Sequence, residues 1–170
     1  MKKALILLMP LLCIGAIAQP QWSKHIDKNL GIEISYPRDW KPNYKNPNKS
    51  VSFTAAKIRN GKTSASLWIH ISDVPGNESL DSLTLDYMKT LRSDGNLIHG
   101  GNELVMDGRN AYSFHTSVEN NDQSKISDFY LLKTDSKFYI LALIVYQRRE
   151  YDSYKSDFQK IIESLKINNP

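Results

Sequence analysis

The chain has 170 residues, 41% hydrophobic and 24% charged, with 22 Lys/Arg against 18 Asp/Glu and a single cysteine. That length and apolar content suit one domain with a sizeable core. One cysteine excludes a disulfide framework and a cysteine-rich metal centre, and the formal net charge is +4.

Lys2 and Lys3 open the chain, and Ala4 to Ile17 is an almost unbroken apolar stretch. Ala16-Ile17-Ala18 places small residues at the two positions a signal peptidase reads. Residues 1–18 therefore read as a cleaved signal peptide, with the mature chain starting at Gln19. The apolar run is shorter than the ~20 residues of a membrane span, and Pro10 and Gly15 interrupt it. Leu12 stands where lipid attachment at Cys13 wants a small residue, which argues against that route. Cleavage would remove the only cysteine and two lysines, lowering the net charge to +2. The mature protein is expected to be periplasmic or extracellular, with no transmembrane segment.

Residues 19–30, which include Trp22, read as a lead-in to a single domain spanning 31–170. Gly31 to Tyr36 alternates apolar and polar residues, pointing Ile32, Ile34 and Tyr36 one way and Glu33 and Ser35 the other. Pro37 stops that strand, because proline cannot donate a ladder hydrogen bond. Residues 38–49, with two prolines and three asparagines, read as a loop. A strand from about Ser50 to Ile58 and another from Thr63 to Val74 flank Asn60-Gly61, a pair suited to a type I′ turn.

From Ser79 to Ser93 the period becomes helical, with Leu80, Leu83, Tyr87 and Leu91 on one face and Asp94-Gly95 as the stop. Strands are expected at about 98–106, 109–119, 125–134 and 137–146, joined by hairpins at Asp107-Gly108, Asn120 to Ser124 and Asp135-Ser136. Phe138 to Tyr146 has no charged residue and predicts a central strand covered on both faces. A last helix over about 150–165 carries Tyr151, Tyr154, Phe158, Ile161, Ile162 and Leu165 on one face. The expected class is α+β: a mostly antiparallel sheet of six or seven strands with two main helices, one on each side.

Three passages resemble the PsbP-like superfamily, named for an extrinsic subunit of the oxygen-evolving photosystem and including exported bacterial proteins. They are Gly31-Ile32-Glu33-Ile34-Ser35-Tyr36-Pro37-Arg38-Asp39-Trp40, Leu104 to Ala111, and the final helix ending in Ser164-Leu165-Lys166-Ile167. The resemblance implies an α/β/α sandwich used as an adaptor or binding surface. Members of the fold serve photosystem, nuclear-transport and bacterial-envelope roles, so it implies no reaction.

The search for catalytic chemistry finds no motif. Gly61-Lys62-Thr63 imitates the end of a phosphate-binding loop but lacks its earlier glycine and following helix. No serine sits in a Gly-x-Ser-x-Gly elbow. His25, His70, His99 and His115 lack metal-ligand spacing, although His70 and His115 could meet across the sheet. Glu119-Asn120-Asn121-Asp122 gathers oxygen donors without EF-hand order. No cofactor, metal or catalytic residue is assigned.

Charge is uneven along the chain. Residues 19–62 carry nine Lys/Arg against Asp27, Glu33 and Asp39, whereas residues 63–170 carry eleven against fifteen acids. The basic part can create a local field for anions. Within it, Arg38, Trp40, Lys41, Tyr44, Lys45 and Lys49 form a candidate aromatic-basic binding surface. Trp40 has a competing role as a core plug at the end of the first strand. The leading expectation is an exported, non-enzymatic binding or assembly protein that engages an unknown envelope protein. The alternative is a binder of a small ligand or of an anionic lipid or polysaccharide surface through residues 38–62, and a third is a hydrolase with an unrecognised site. Nucleic acid is not expected as a partner.

Overall fold

The computed structural model describes residues 21–43, 52–74, 77–120 and 123–168. The expected signal peptide, residues 1–18, lies outside these. The lead-in read at 19–30 instead contains a strand, β1 (Trp22–Asp27), paired antiparallel with β2 (Ile32–Pro37). The turn between them is built by Asp27, whose carboxylate accepts from the N–H groups of Asn29 and Leu30 at 2.9 and 3.0 Å. A sequence-local acceptor of this kind turns the chain without help from the core.

β2 buries Ile32, Ile34 and Tyr36 as its alternation requires. It does not enter the main sheet. With β1 and the two-residue β10 (Lys166–Ile167) it forms a separate three-stranded sheet in the order β1-β2-β10.

The main sheet still has seven strands among the described residues. The place expected for β2 is taken by β3 (Lys41–Asn43), within the segment read as a loop. Pro42 sits comfortably there because β3 is an edge strand, where a missing donor costs no ladder bond. β4 (Phe53–Arg59) and β5 (Lys62–Asp73) follow, turning through Asn60 and Gly61 at φ of 49° and 73°. Two consecutive positive φ values match the right-handed twist of the paired strands.

Helix α1 (Leu80–Ser93) starts at Ser79, whose hydroxyl accepts from the Ser82 N–H at 3.1 Å. It ends with Gly95 N–H on the Arg92 carbonyl and Asn96 N–H on that of Leu91, a Schellman closure around a glycine at φ 81°. β6 (Leu97–Met106), β7 (Arg109–Asn120), β8 (Gln123–Lys133) and β9 (Lys137–Val145) then pair as successive antiparallel neighbours. After a single 3₁₀ turn at Arg148–Glu150 comes α2 (Tyr151–Glu163).

The strand order β3-β4-β5-β9-β8-β7-β6 places β9 fourth of seven, with every residue from Phe138 to Val145 buried. Its alternate side chains feed two cores. Tyr139, Leu141, Leu143 and Val145 meet α2 and the small sheet, whereas Phe138, Ile140, Ala142 and Ile144 belong to the core beneath α1.

Trp40 belongs to the first of these cores. It is 2% exposed and packs edge-on against Tyr154 and Phe158 of α2, with centroids 6.3 Å away in each case. The small sheet is fastened to α2 by Ser164. Its hydroxyl donates to the Ile161 carbonyl at 2.7 Å and accepts the Ser35 N–H at 2.8 Å.

Asp107 holds the C-terminal strand. It adopts φ 47° in the β6–β7 turn, and its carboxylate accepts from the Ile167 N–H at 2.8 Å, Arg109 at 3.0 Å and Lys166 at 3.3 Å. Burial alone would raise its pKa, but these donors hold it below the usual carboxylate range.

Two outcomes follow from these contacts. Trp40→Ala should lower the unfolding free energy by about 3–5 kcal/mol in urea titrations, while Lys41→Ala beside it stays within about 0.5 kcal/mol of the parent. Asp107→Asn should destabilise by on the order of 1 kcal/mol at pH 7. A carboxylate with a lowered folded pKa stabilises fully above its unfolded value. That stabilisation is lost as pH falls through the folded value, so the melting curves of parent and variant should converge in acid.

Candidate functional site

Of the six residues proposed as an aromatic-basic surface, Tyr44, Lys45 and Lys49 lie outside the described residues. Trp40 is a core residue and contributes no face to a rim. Arg38 donates to the side chain of Gln21, just before β1, and Lys41 is exposed on β3. Lys57, in the same basic region, is paired with Asp39. The structure therefore leaves Lys41 on the edge strand of the main sheet, Arg38 at the end of the small sheet, and Trp40 in the core.

Two other surfaces arise because neither covering layer spans the whole sheet. On one face, α1 lies over β7 and β8, where Tyr87 meets Phe129 edge-on at 5.7 Å. Beyond it, β4 and β5 are left open. Trp68 projects there with 41% of its surface exposed, opposite Thr54 on β4 and Ala142 on β9. Alternation puts Ser66 and His70 on the same face, and Ala56 and Lys41 stand beside them across the ladder. Burial lowers the His70 pKa, so its imidazole is neutral at pH 7. The patch around Trp68 is therefore uncharged, with Lys41 at its margin.

On the opposite face, α2 and the small sheet cover β4, β5 and β9, and the far ends of β6, β7 and β8 are bare. His99, His115 and Asp128 stand in one row there, as register partners across the three strands. The imidazoles of His99 and His115 stack with centroids 5.1 Å apart and planes at 20°. His99 Nε2 and Ser117 Oγ share a hydrogen bond of 2.9 Å. Asp128 turns toward α2, where the Tyr151 hydroxyl donates to its carboxylate at 2.8 Å. Burial raises the Asp128 pKa, against the opposing effects of Tyr151, His115 and Lys155. Burial and the adjacent carboxylate push the Tyr151 phenol upward as well.

The histidine pair is not the one expected. His70 faces the α1 side on β5, opposite Ile140, and cannot reach His115. A bulge in β6 between His99 and Asn102 sets the actual pairing. Gly100 takes φ 64°, a conformation that favours glycine, and Gly101 leaves the space that the Tyr112 hydroxyl occupies. Adjacent glycines inside a strand were the signal available for this bulge.

His25 is held elsewhere, stacked on Phe53 at 3.9 Å, with its pKa lowered by burial against the raising effect of Asp27. Among the described residues, no three His, Cys, Asp or Glu side chains gather as a metal would need. Asn121 and Asp122 of the acidic hairpin tip lie outside the described residues. Gly61-Lys62-Thr63 is a hairpin tip running into β5 rather than a loop before a helix. No described helix is long and apolar enough to cross a membrane.

This arrangement of layers is shared with known proteins. The structure of cyanobacterial PsbP (CyanoP) from Synechocystis sp. PCC 6803 matches with a TM-score of 0.67 at 18% identity, covering 94% of this chain and 99% of that one. LpqN of Mycobacterium tuberculosis, described as involved in cell envelope biogenesis, matches with a TM-score of 0.66 at 13% identity, over 88% of this chain and 91% of its own. The Saccharomyces cerevisiae Ran-binding protein Mog1p gives 0.60 at 10% identity, over 88% and 96% respectively. At these identities the likeness is one of fold. No curated protein sequence matches the chain. The family model described as PsbP matches residues 20–167, from just before β1 to the end of β10, and the chain belongs to the PsbP family.

Proposed function

We propose that this chain is an exported, non-enzymatic binding or assembly protein of the bacterial cell envelope, and that a protein partner docks on the open sheet face around Trp68. The observation that carries the reading is Trp68 itself. Large aromatics are mostly buried, yet this one stands half-exposed on a rigid strand, surrounded by Thr54, Ala56, Ser66, His70 and Ala142. Cores of protein interfaces are depleted in charge and enriched in aromatics, and tryptophan is among the residues enriched at hot spots. Such a patch on a sheet needs no rearrangement to bind, which lowers the ordering cost of association.

Export is supported by the basic start, apolar stretch and Ala16-Ile17-Ala18 of residues 1–18. The envelope role described for LpqN and the Ran-binding role described for Mog1p are consistent with protein-directed work on this fold. A hydrolase reading has one favourable distance, Ser117 to His99, within nucleophile–base reach. It lacks the group that would orient the base, because no described carboxylate bonds the other ring nitrogen of His99.

The test is crosslinking and affinity capture of the full chain from its native envelope. The parent should bring down one protein in roughly equal amount, and Trp68→Ala should lose it by at least about tenfold, as for a hot-spot aromatic. Trp68 is exposed, so the variant should melt close to the parent. Repeated recovery of the parent as a lone monomer, or equal capture by the variant, overturns the reading. In the same preparation the intact mass should correspond to a chain starting at Gln19.

A further inference from the structure

β6 is one edge of the main sheet and β3 is the other. Natural edges are blunted by shortness, proline, lysine or a bulge, because their unpaired N–H and C=O groups would otherwise take up another strand. β3 is three residues long and contains Lys41 and Pro42. β6 is ten residues long and is interrupted only by the bulge between His99 and Asn102. Beyond that bulge, Asn102 to Met106 pairs with β7 in unbroken register and contains neither proline nor lysine. Alternate residues of this stretch turn their backbone N–H and C=O away from β7, and no strand stands beside them among the described residues. The side chains here are as open as the backbone. Val105 is 68% exposed, and Glu103, on the same face by alternation, opens with it onto a depression of about 400 Å³. Asp81 of α1 and Asn110 of β7 line the same depression. Leu85, 56% exposed, follows Asp81 by one helical turn on the same side of α1. Neither Asp81 nor Glu103 forms an ion pair among the described residues.

We propose that Asn102 to Met106 takes up an extended segment of a protein partner as a further, antiparallel strand of the main sheet. Main-chain hydrogen bonds along the edge supply affinity, and the side chains that meet Val105 and Glu103 supply selectivity. In an antiparallel pair the partner residue opposite Val105 comes two positions before the one opposite Glu103. The segment that fits therefore carries an apolar residue and, two positions later, a lysine or arginine. The apolar side chain covers Val105. The cation enters the depression between Glu103 and Asp81, with its aliphatic stem toward Leu85. The same two carboxylates select against a second copy of this chain. Antiparallel self-pairing would bring Glu103 and Asp81 of both copies to one seam, where like charges repel. This edge lies across α1 from Trp68 and does not depend on the docking reading.

The test titrates the full chain against an end-capped, fluorophore-labelled peptide, Thr-Val-Thr-Val-Thr-Lys-Thr-Val, read by anisotropy. Binding should saturate, and should weaken at least about tenfold when the lysine of the peptide is replaced by glutamate. Asp81 and Glu103 are both exposed, so the double variant Asp81→Asn with Glu103→Lys should melt near the parent. That variant should reverse the preference and bind the glutamate peptide better, a swap that a damaged fold cannot produce. The lysine peptide should slow amide hydrogen exchange within Asn102 to Met106 and leave β3 unchanged. Trp68→Ala should bind the peptide as the parent does, which keeps this result separate from capture of a partner at Trp68. Absence of binding at about 1 mM peptide, equal binding of the two peptides, or protection outside β6 overturns the inference. So does sedimentation of the chain alone as a dimer with protected β6 amides, which places a second copy on the edge.

Discussion

β9 has no polar face. Every side chain from Phe138 to Val145 is buried, so a layer must stand on each side of the sheet at its centre. Burying such side chains contributes roughly 1.5–3 kcal/mol each where they are large, and this holds only if both layers are in place. α1 supplies one layer. The other needs α2 and the small sheet together, which explains why Trp40, Tyr154 and Phe158 meet where they do. The Ser164 and Asp107 contacts then tie the small sheet and C-terminal strand to that layer.

The same requirement produces the two bare surfaces. Seven twisted strands are wider than one helix can cover. α1 sits over β7 and β8 and leaves β4 and β5 open, whereas α2 and the small sheet sit over β4 and β5 and leave the ends of β6–β8 open. The offset is diagonal through β9. One uncovered corner carries the exposed Trp68 and the other the stacked pair His99 and His115, on opposite faces of a packed sheet.

What the sequence made legible was set by local rules. Helix α1 was bounded by Ser79 and by Asp94-Gly95, the hairpins by Asn60-Gly61 and Asp107-Gly108, and β9 by its unbroken apolar run. Each of those signals acts within a few residues. β3 escaped because three residues around Pro42 look like loop, and only the neighbouring β4 makes them a strand. β1 escaped for the same reason, since its partner is decided by a turn at Asp27 rather than by its own alternation. The His99–His115 pairing needed the register across a bulge, and a register is a property of two strands rather than of either one. Trp68 alternates with Leu67 and Ile69, and the strand period alone puts it on the face opposite theirs. Which face would remain uncovered depended on where α1 came to rest, and no local rule decides that.

The phrase Gly31 to Trp40 illustrates what a family resemblance carries in this fold. Ile32, Ile34, Tyr36 and Trp40 are all core residues, and the turn at Pro37 holds Trp40 against α2 by the Trp40 N–H to Pro37 carbonyl bond of 2.9 Å. Residues of that kind build layers, and the family model that matches the chain spans them all. Trp68, His99, His115 and Arg148 build no layer. They stand on the uncovered corners, where a substitution costs the fold little. Function in such a family is therefore to be sought at the corners that the two layers leave bare, not in the motifs by which the family is recognised.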